Sequence, residues 1–199
     1  TLGIPRDVRA ACRLALENRP RPLDMVRLQA EGIDTLFINA AGFGFDAAVV
    51  AEALKLNNLR GLPLYVGAVL RAVRSYDCPE TVIRTPEGEW RKPLLLVAAA
   101  NGRFYGGGMK MAPAAEPDDG LLEVCIIDAV SRLRIYQCLP RFIKGTHLAL
   151  PEVTMVRASR LVIETRAGMP VQLDGDLLAT GAATRFELTV LPRALTVLV

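Results

Sequence analysis

The sequence holds few of the residues that metal and redox sites require. It has one histidine, His147, and four cysteines that stand apart without a CxxC pair: Cys12, Cys78, Cys125 and Cys138. A single histidine excludes a His-rich metal site, and no Ser-His-Asp set can be assembled around it. We therefore predict that His147 is a structural or surface residue and that the cysteines are free thiols of a cytoplasmic protein.

Long apolar segments and concentrated basic charge are missing as well. The longest apolar stretch, Leu94 to Ala100, has the length of a strand and is too short to cross a bilayer. The 24 Lys and Arg residues against 21 Asp and Glu residues give a net charge of +3 without a basic run, so nucleic acid is not an expected partner. Five arginines fall on predicted helices, where they form either a patch for an anionic surface or ordinary solvated faces: Arg71, Arg74, Arg132, Arg134 and Arg141.

The chain does contain enough hydrophobic residues, 51% of the total, to fold around a core. Apolar residues recur with helical spacing in 7–17, 47–56, 62–76 and 131–144. Runs with strand character cover 24–29, 34–40, 80–85, 90–100, 121–128, 157–164, 169–173, 184–191 and 194–199. Because strands and helices come in blocks without βαβ alternation, we predict an α+β domain, mostly antiparallel β, with a layered or sandwich-like sheet and a few helices.

Two glycine-containing segments interrupt this pattern. The segment Asn39-Ala40-Ala41-Gly42-Phe43-Gly44-Phe45-Asp46 is predicted to link a strand to a helix, and its glycines allow a close backbone approach, with Asp46 as a candidate helix cap. The second segment starts at Asn101, passes through three glycines at 106–108 and ends at Asp118-Asp119-Gly120. Its paired carboxylates suit a hard cation such as Mg²⁺, and a plain β-turn before the next strand is the alternative.

A further pair of carboxylates follows a late apolar strand, in Leu173-Asp174-Gly175-Asp176. In an extended segment, alternation would place both side chains on the same face. There they could share a metal ion, or one could accept a proton while the other orients it. The alternative is a surface hairpin turn, because Asp-Gly is a common hairpin dipeptide.

Together and in this order, these segments resemble the C-terminal domain of the diacylglycerol kinase and sphingosine kinase superfamily, including bacterial YegS-like and BmrU-like lipid kinases. The matching stretches are Phe37 to Asp46, Asn101-Gly102 with the three glycines and Ala112-Pro113, Asp118 to Leu122, and Leu173 to Asp176. The opening Leu2-Gly3-Ile4-Pro5 is similar to the residues that follow the family's nucleotide-binding glycine loop, whereas the Gly-Gly-Asp-Gly-Thr loop itself does not occur in this sequence. The resemblance implies that 1–22 is the tail of a nucleotide-binding domain and that 23–199 is a lipid-kinase C-terminal β-rich domain of the NAD kinase type.

The resemblance also implies roles for particular residues. Asp176 matches the general base, at a position where most bacterial members have Glu, and Asp174 matches the aspartate that orients the base or the metal. The positions that match cleft-shaping residues are Asn101, Gly42 and Gly44. The implied Mg²⁺ site consists of Asp119 with the backbone carbonyl groups of Glu116 and Leu121.

The implied function is the ATP-dependent phosphorylation of a lipid hydroxyl by a cytoplasmic enzyme peripheral to the membrane, as in phospholipid biosynthesis. Mg²⁺ and ATP are the implied cofactors, with ATP bound mainly by an N-terminal domain of the same protein, so the 199-residue fragment alone is expected to be inactive. Whether the protein forms a homodimer stays open. Other functions also stay open: a non-catalytic lipid-binding or dimerisation module, an NAD kinase-like enzyme, and a structural β domain without a site.

Overall fold

A computed structural model of the chain describes residues 2–5, 7–17, 19–56, 58–104, 108–178 and 183–198. These residues form eleven β-strands and four α-helices. The helices are α1 (Val8–Leu16), α2 (Phe45–Ala53), α3 (Gly61–Ser75) and α4 (Arg132–Lys144), and a 3₁₀ turn covers His147–Ala149. The strands are β1 (Pro20–Ala30), β2 (Ile33–Phe37), β3 (Ala40–Gly44), β4 (Glu80–Thr85), β5 (Gly88–Ala100), β6 (Leu122–Asp128), β7 (Val153–Ala158), β8 (Arg160–Thr165), β9 (Val171–Leu173), β10 (Asp176–Leu178) and β11 (Arg185–Leu198).

The strands form one continuous antiparallel network in the order β10-β9-β3-β5-β4-β8-β11-β1-β2, and β6 joins β5 to β7. Strand β5 is the junction because it is long enough to serve two sheets. Its first half, Gly88 to Pro93, pairs with β4, and its second half, Leu96 to Ala100, pairs with β3 and β6. A strand shared in this way lets one sheet fold over the other.

The two sheets enclose the main core between them. Apolar side chains of β1, β4, β8 and β11 pack in the same cluster as those of β3, β5, β6 and β9. Phe43 on β3 and Phe186 on β11 meet edge to face across this core, with ring centroids 5.5 Å apart. The predicted α+β, sandwich-like antiparallel fold is confirmed.

A second core lies on the outer face of β5 and β6, which helices α2, α3 and α4 cover. Leu96, Ala98, Cys125 and Ile127 point into it from the strands. Cys125 is fully buried there, and burial raises the pKa of its thiol to about 12. Among the described residues, no helix combines the length and the hydrophobicity that a membrane crossing requires.

Several boundaries of the predicted strands and loops differ from the structure. The expected loop at 42–44 is strand β3, paired on both sides, because its glycines accommodate neighbouring side chains rather than a chain reversal. The single strand expected at 157–164 is divided at Ser159 into β7 and β8, while the two expected at 184–199 are one strand, β11. Strand β1 begins at Pro20, earlier than the expected start at residue 24, and pairs with β11; the expected domain division after residue 22 stays a prediction.

The small, glycine-containing segment 177–182 would be a turn by its composition, but its first two residues belong to β10, and 179–182 lie outside the described residues. Two of the three glycines at 106–108, with Tyr105, also lie outside them. Ser131 caps α4, as a serine directly before a helix favours: its hydroxyl accepts a hydrogen bond from the Arg134 N–H at 3.3 Å.

Candidate functional site

A cleft of about 510 Å³ opens between helices α2 and α3 on one side and the ends of β3 and β9 on the other. Its size is typical of a small-molecule site. One end is polar and is lined by Asn39, Asp46, Gln172, Asp174 and Gly175. The rest is largely apolar and is lined by Ala40, Val49, Val50, Ala53, Leu54, Gly61, Leu64 and Tyr65. The cleft is therefore amphipathic along its length.

Asp174 connects the turn after β9 to the segment that enters β3. Its Oδ1 accepts hydrogen bonds from the N–H groups of Asn39 and Ala40 at 2.9 and 2.8 Å, and its Oδ2 accepts one from Ile38 N–H at 3.0 Å. Three backbone dipoles thus point at one carboxylate. Asp174 itself lies in the left-handed region, with φ of 51°, which Asp tolerates better than most residues. Its geometry is that of a clamp that positions the turn.

Asp176 lies two residues further on, as the first residue of β10, where it pairs with Leu173. The expectation that Asp174 and Asp176 share a face of an extended segment is wrong, because Asp174 and Gly175 form a hairpin turn between two strands. Asp176 is exposed, and within the described parts of the chain its carboxylate makes no hydrogen bond or ion pair. It does not line the cleft, and its role as a base stays a prediction.

Asn101 fixes the other side of the segment that Asp174 holds. It is fully buried at the end of β5, and its Nδ2 donates to the carbonyl oxygens of Ile38 at 2.8 Å and Asp24 at 3.1 Å. Its backbone N–H donates to the Asn39 carbonyl at 2.8 Å. Asn101 therefore holds the segment that borders the polar end of the cleft, and the cleft-shaping role that the resemblance implies for it stays a prediction.

Gly42 and Gly44 leave room for side chains behind the cleft. A Cβ on Gly42 would lie 1.7 Å from Asp46 Oδ2 and 2.7 Å from Gln172 Nε2. Gly44 has φ of +80°, and a Cβ there would lie 2.5 Å from the Tyr76 hydroxyl oxygen. Neither position accepts a side chain without displacing a neighbour, so both glycines are required by close packing.

Asp46 and Gln172 are polar residues of the cleft, and the sequence alone did not predict either of them as a site residue. Asp46 does not cap α2, because the cap position is Gly44; it lies in the first turn of α2 and is only 6% exposed. Gln172 Nε2 donates to Asp46 Oδ2 at 2.9 Å, and Gln172 Oε1 accepts from Gly175 N–H at 2.8 Å. Burial raises the pKa of Asp46 to about 6, although the Gln172 hydrogen bond opposes the shift.

A smaller apolar cavity of about 50 Å³ lies behind the cleft, between α2, α3, α4 and the sheet. It shares Asp46, Val49 and Tyr65 with the cleft. Burial, and then the nearby charge of Asp46, raise the pKa of the Tyr65 phenol. The apolar lining of the cleft therefore continues inward past Asp46.

The predicted Mg²⁺ site lies at a different place. Asp119 Oδ2 forms an ion pair with Arg157, and its Oδ1 accepts from Leu121 N–H at 2.9 Å. Arg157 also contacts Glu123 at 3.1 Å, while Glu116 is exposed and unpaired in the described part of the chain. Arg157 neutralises the Asp119 carboxylate here, and the Mg²⁺ site of Asp119 with the backbone carbonyl groups of Glu116 and Leu121 stays a prediction.

Buried Asp24 holds the Asp118-Asp119-Gly120 turn in place. Its carboxylate is fully buried and accepts hydrogen bonds from Gly120 N–H at 2.6 Å and Arg193 N–H at 2.7 Å. The described residues contain no cluster of three or more His, Cys, Asp or Glu side chains that could hold a metal ion. Contacts of this turn lead to β1, β7 and β11, and no residue of the turn lines the cleft.

Comparison with known proteins agrees with this architecture. Residues 39–199 match the family described as the YegS C-terminal NAD kinase beta sandwich-like domain. A diacylglycerol kinase from Mycobacterium tuberculosis is 30% identical over 98% of this chain and 63% of its own length. A protein of Chromohalobacter salexigens named "Probable lipid kinase YegS-like" is 32% identical over 88% of this chain and 55% of its own length.

A solved structure of a diacylglycerol kinase from Bacillus anthracis strain Sterne matches 99% of this chain and 60% of its own, with a TM-score of 0.65 and 19% identity, a likeness that shows the fold. The chain thus spans about three fifths of the length of the relatives it matches. The match over 39–199 and the curated relatives show that the chain belongs to the YegS C-terminal domain family of lipid kinase homologues.

Proposed function

We propose that this chain is the acceptor-binding part of an ATP-dependent lipid kinase of the diacylglycerol kinase type. The observation that carries the proposal is the amphipathic cleft, whose polar end lies beside the Asp174–Asp176 turn and whose apolar walls are helices α2 and α3. The names of the relatives at 30% and 32% identity supply the reaction class.

The polar end of the cleft suits the hydroxyl of a lipid. Asp46 can accept a hydrogen bond from such a hydroxyl, and Gln172 holds its carboxylate in place. The apolar wall beyond it, with Val49, Leu64 and Tyr65, suits a hydrocarbon chain. A lipid lying along the cleft would therefore present its hydroxyl at the end where the β9–β10 turn stands.

Phosphoryl transfer requires an in-line hydroxyl, charge neutralisation and a group that takes the hydroxyl proton. We assign the last role to Asp176. Its exposed carboxylate has no partner in the described residues, and Asp174 fixes the turn that carries it through three backbone hydrogen bonds. Asp is one methylene shorter than Glu, so the correct position of this turn matters more.

We assign ATP binding to the portion of the full-length protein that corresponds to the part of the relatives this chain does not span. When bound there, ATP with Mg²⁺ supplies the phosphoryl group and neutralises its charge. The chain's own contribution is to bind the lipid, to orient its hydroxyl and to accept its proton.

The test is a kinase assay on the full-length protein with labelled ATP and a panel of diacylglycerol, phosphatidylglycerol, sphingosine and NAD. We expect Asp176→Asn to lower kcat by about 100-fold or more, as loss of a general base does, with the KM for ATP unchanged. Glu31→Gln, at the exposed β1–β2 turn, is the control and should keep full activity. Normal turnover by Asp176→Asn would remove this residue from the mechanism.

The same panel distinguishes the other functions. Phosphorylation of NAD with no lipid product would favour an NAD kinase-like enzyme. Vesicle binding with no phosphorylated product from any substrate would favour a non-catalytic lipid-binding module.

A further inference from the structure

Helices α3 and α4 carry only positive charge. Helix α3 contains two arginines and α4 contains three arginines and a lysine, and neither contains an acidic residue. At the chain's average frequency, 21 acidic residues in 199, these two helices would together carry about three. The near balance of charge in the whole chain therefore conceals a one-sided distribution on the helical layer.

The outer face of α4 combines this charge with exposed apolar side chains. Its inner face packs Ile135, Leu139 and Phe142 against the second core. One turn apart on the outer face, Leu133 is 66% exposed and Tyr136 is 37% exposed. Leu148, in the 3₁₀ turn that follows, is 44% exposed. The described residues thus leave a substantial part of each of these apolar side chains exposed to solvent.

The charges on this face are available to a partner. Arg134 is paired with Glu152, but Arg132, Arg141 and Lys144 make no ion pair within the described ranges. Basic residues that flank exposed leucine and tyrosine on one face of a helix are the pattern of segments that lie in a membrane interface.

We propose that the outer face of α4, consisting of Arg132, Leu133, Tyr136, Arg141 and Lys144, docks on the surface of an anionic phospholipid bilayer. The face carries one sign of charge, so its partner must be anionic. An interface between two copies would instead bring these cations against each other. The choice of a bilayer rests on the proposed function, since a lipid acceptor must enter the cleft from a membrane.

The location of α4, next to a helix that lines the cleft, supports docking through this face. It packs in the same cluster as α3, whose Leu64 and Tyr65 line the cleft. Helix α3 continues the exposed surface with Leu70, which is 44% exposed, and with the exposed Arg74. Docking through α4 would hold the helical layer, and the cleft within it, next to the lipids.

The experiment measures co-sedimentation of the full-length protein with vesicles of phosphatidylcholine, with and without phosphatidylglycerol, at low and high salt. One variant removes the charge, Arg132→Gln/Arg141→Gln/Lys144→Gln, and a second removes the apolar contacts, Leu133→Ser/Tyr136→Ser. The matched control, Arg91→Gln/Arg160→Gln/Arg166→Gln, removes three exposed positive charges from the sheets. Thermal melting of each variant checks that it folds.

We expect wild-type protein to bind the phosphatidylglycerol vesicles and to be released by salt. A basic residue close to an anionic membrane strengthens binding about fivefold, so the charge variant should bind at least about tenfold more weakly and the control within about twofold. The apolar variant should also bind more weakly. Equal binding by the charge variant and its control, or equal binding to both vesicle types, would overturn the proposal.

Two further readouts separate the possible failures. If sedimentation velocity shows a dimer that Leu133→Ser/Tyr136→Ser converts to monomers, the face binds a second copy and the bilayer proposal is overturned. Kinase activity on short-chain diacylglycerol in micelles should be unchanged in both α4 variants. Absence of that activity in the wild type would refute the proposed function, while the vesicle result would still decide the docking surface.

Discussion

Substitution of Asp174 by Asn separates positioning from proton transfer at the β9–β10 turn. Asn has nearly the same shape and tolerates the left-handed φ of 51° found here, so backbone strain does not enter the comparison. One oxygen can still accept from the N–H groups of Asn39 and Ala40, but the side-chain amide then meets the N–H of Ile38, donor against donor. The substitution therefore removes one hydrogen bond and the charge from the other two.

The magnitude follows from these three contacts. A hydrogen bond to a charged group contributes about 1.5–3 kcal/mol, and an orphaned buried donor costs about the same. Because Asp174 is exposed, water can replace part of what is lost. We therefore expect the free energy of unfolding to fall by about 1–2 kcal/mol, which for a domain of this size lowers Tm by roughly 2–8 °C.

Urea denaturation and the kinase assay together test this reasoning. Asp174→Asn should lose both stability and activity, whereas Asp176→Asn, two residues away and unpaired in the described residues, should lose activity alone. An unfolding free energy for Asp174→Asn within about 0.5 kcal/mol of wild type would show that the clamp contributes nothing, and the account of the turn would fail.

Three other predictions concern buried positions around the cleft and the sheet. Asp46 has a folded-state pKa of about 6 against an ordinary 3.8. The stability linked to its proton is therefore fully present below pH 3.8 and is lost as pH rises through 6. Asp46→Asn should flatten the pH dependence of urea unfolding between these two pH values. Gly42→Ala places a Cβ 1.7 Å from a carboxylate oxygen, so it should lower the free energy of unfolding by about 1–3 kcal/mol and distort the cleft. Gly88→Ala is the control, because its Cβ would make an ordinary 3.6 Å contact; its Tm should lie within a few degrees of wild type. Asp24→Asn leaves one of two part-buried backbone donors, the N–H groups of Gly120 and Arg193, without its acceptor and should lower the unfolding free energy by about 1–3 kcal/mol. Asp34→Asn, in an exposed ion pair, should lower it by less than about 1 kcal/mol, and equal effects would contradict the role of Asp24.

The elements with clear periodicity could be predicted from the sequence, and the strands buried on both faces could not be resolved fully. Helix α4 follows directly from its apolar spacing and from Ser131 at its start. Strand β5 is different, because all seven residues from Leu94 to Ala100 are buried. Val97 and Ala99 face the core between the sheets while Leu96 and Ala98 face the helices, and a continuous apolar run carries no sign of that division.

Gly42 and Gly44 show how a correct observation led to the wrong local structure. Glycine between a strand and a helix is typical of a turn, but here strand β3 continues through both residues. The missing Cβ atoms make room for Asp46 and for Tyr76, which reach the strand from α2 and from the end of α3. The glycine positions were informative about close approach, and only the tertiary structure shows which side chains approach.

The polar end of the cleft depends on contacts between residues far apart in sequence, and this limits what local reasoning can find. Gln172 lies 126 positions from Asp46, and Asp174 lies 134 to 136 positions from the residues whose N–H groups donate hydrogen bonds to it. A lone glutamine in an apolar strand and an aspartate at the start of a helix were the available signals, and each is ordinary by itself. Their significance comes from β3, which lies between β5 and β9 and brings the segments 39–46 and 171–175 together. Because Gln172 bonds to Asp46 and to the Gly175 N–H at once, a change at the floor of the cleft should also move the turn that carries Asp176. We therefore expect the proposed lipid-binding and proton-accepting parts of the site to be coupled.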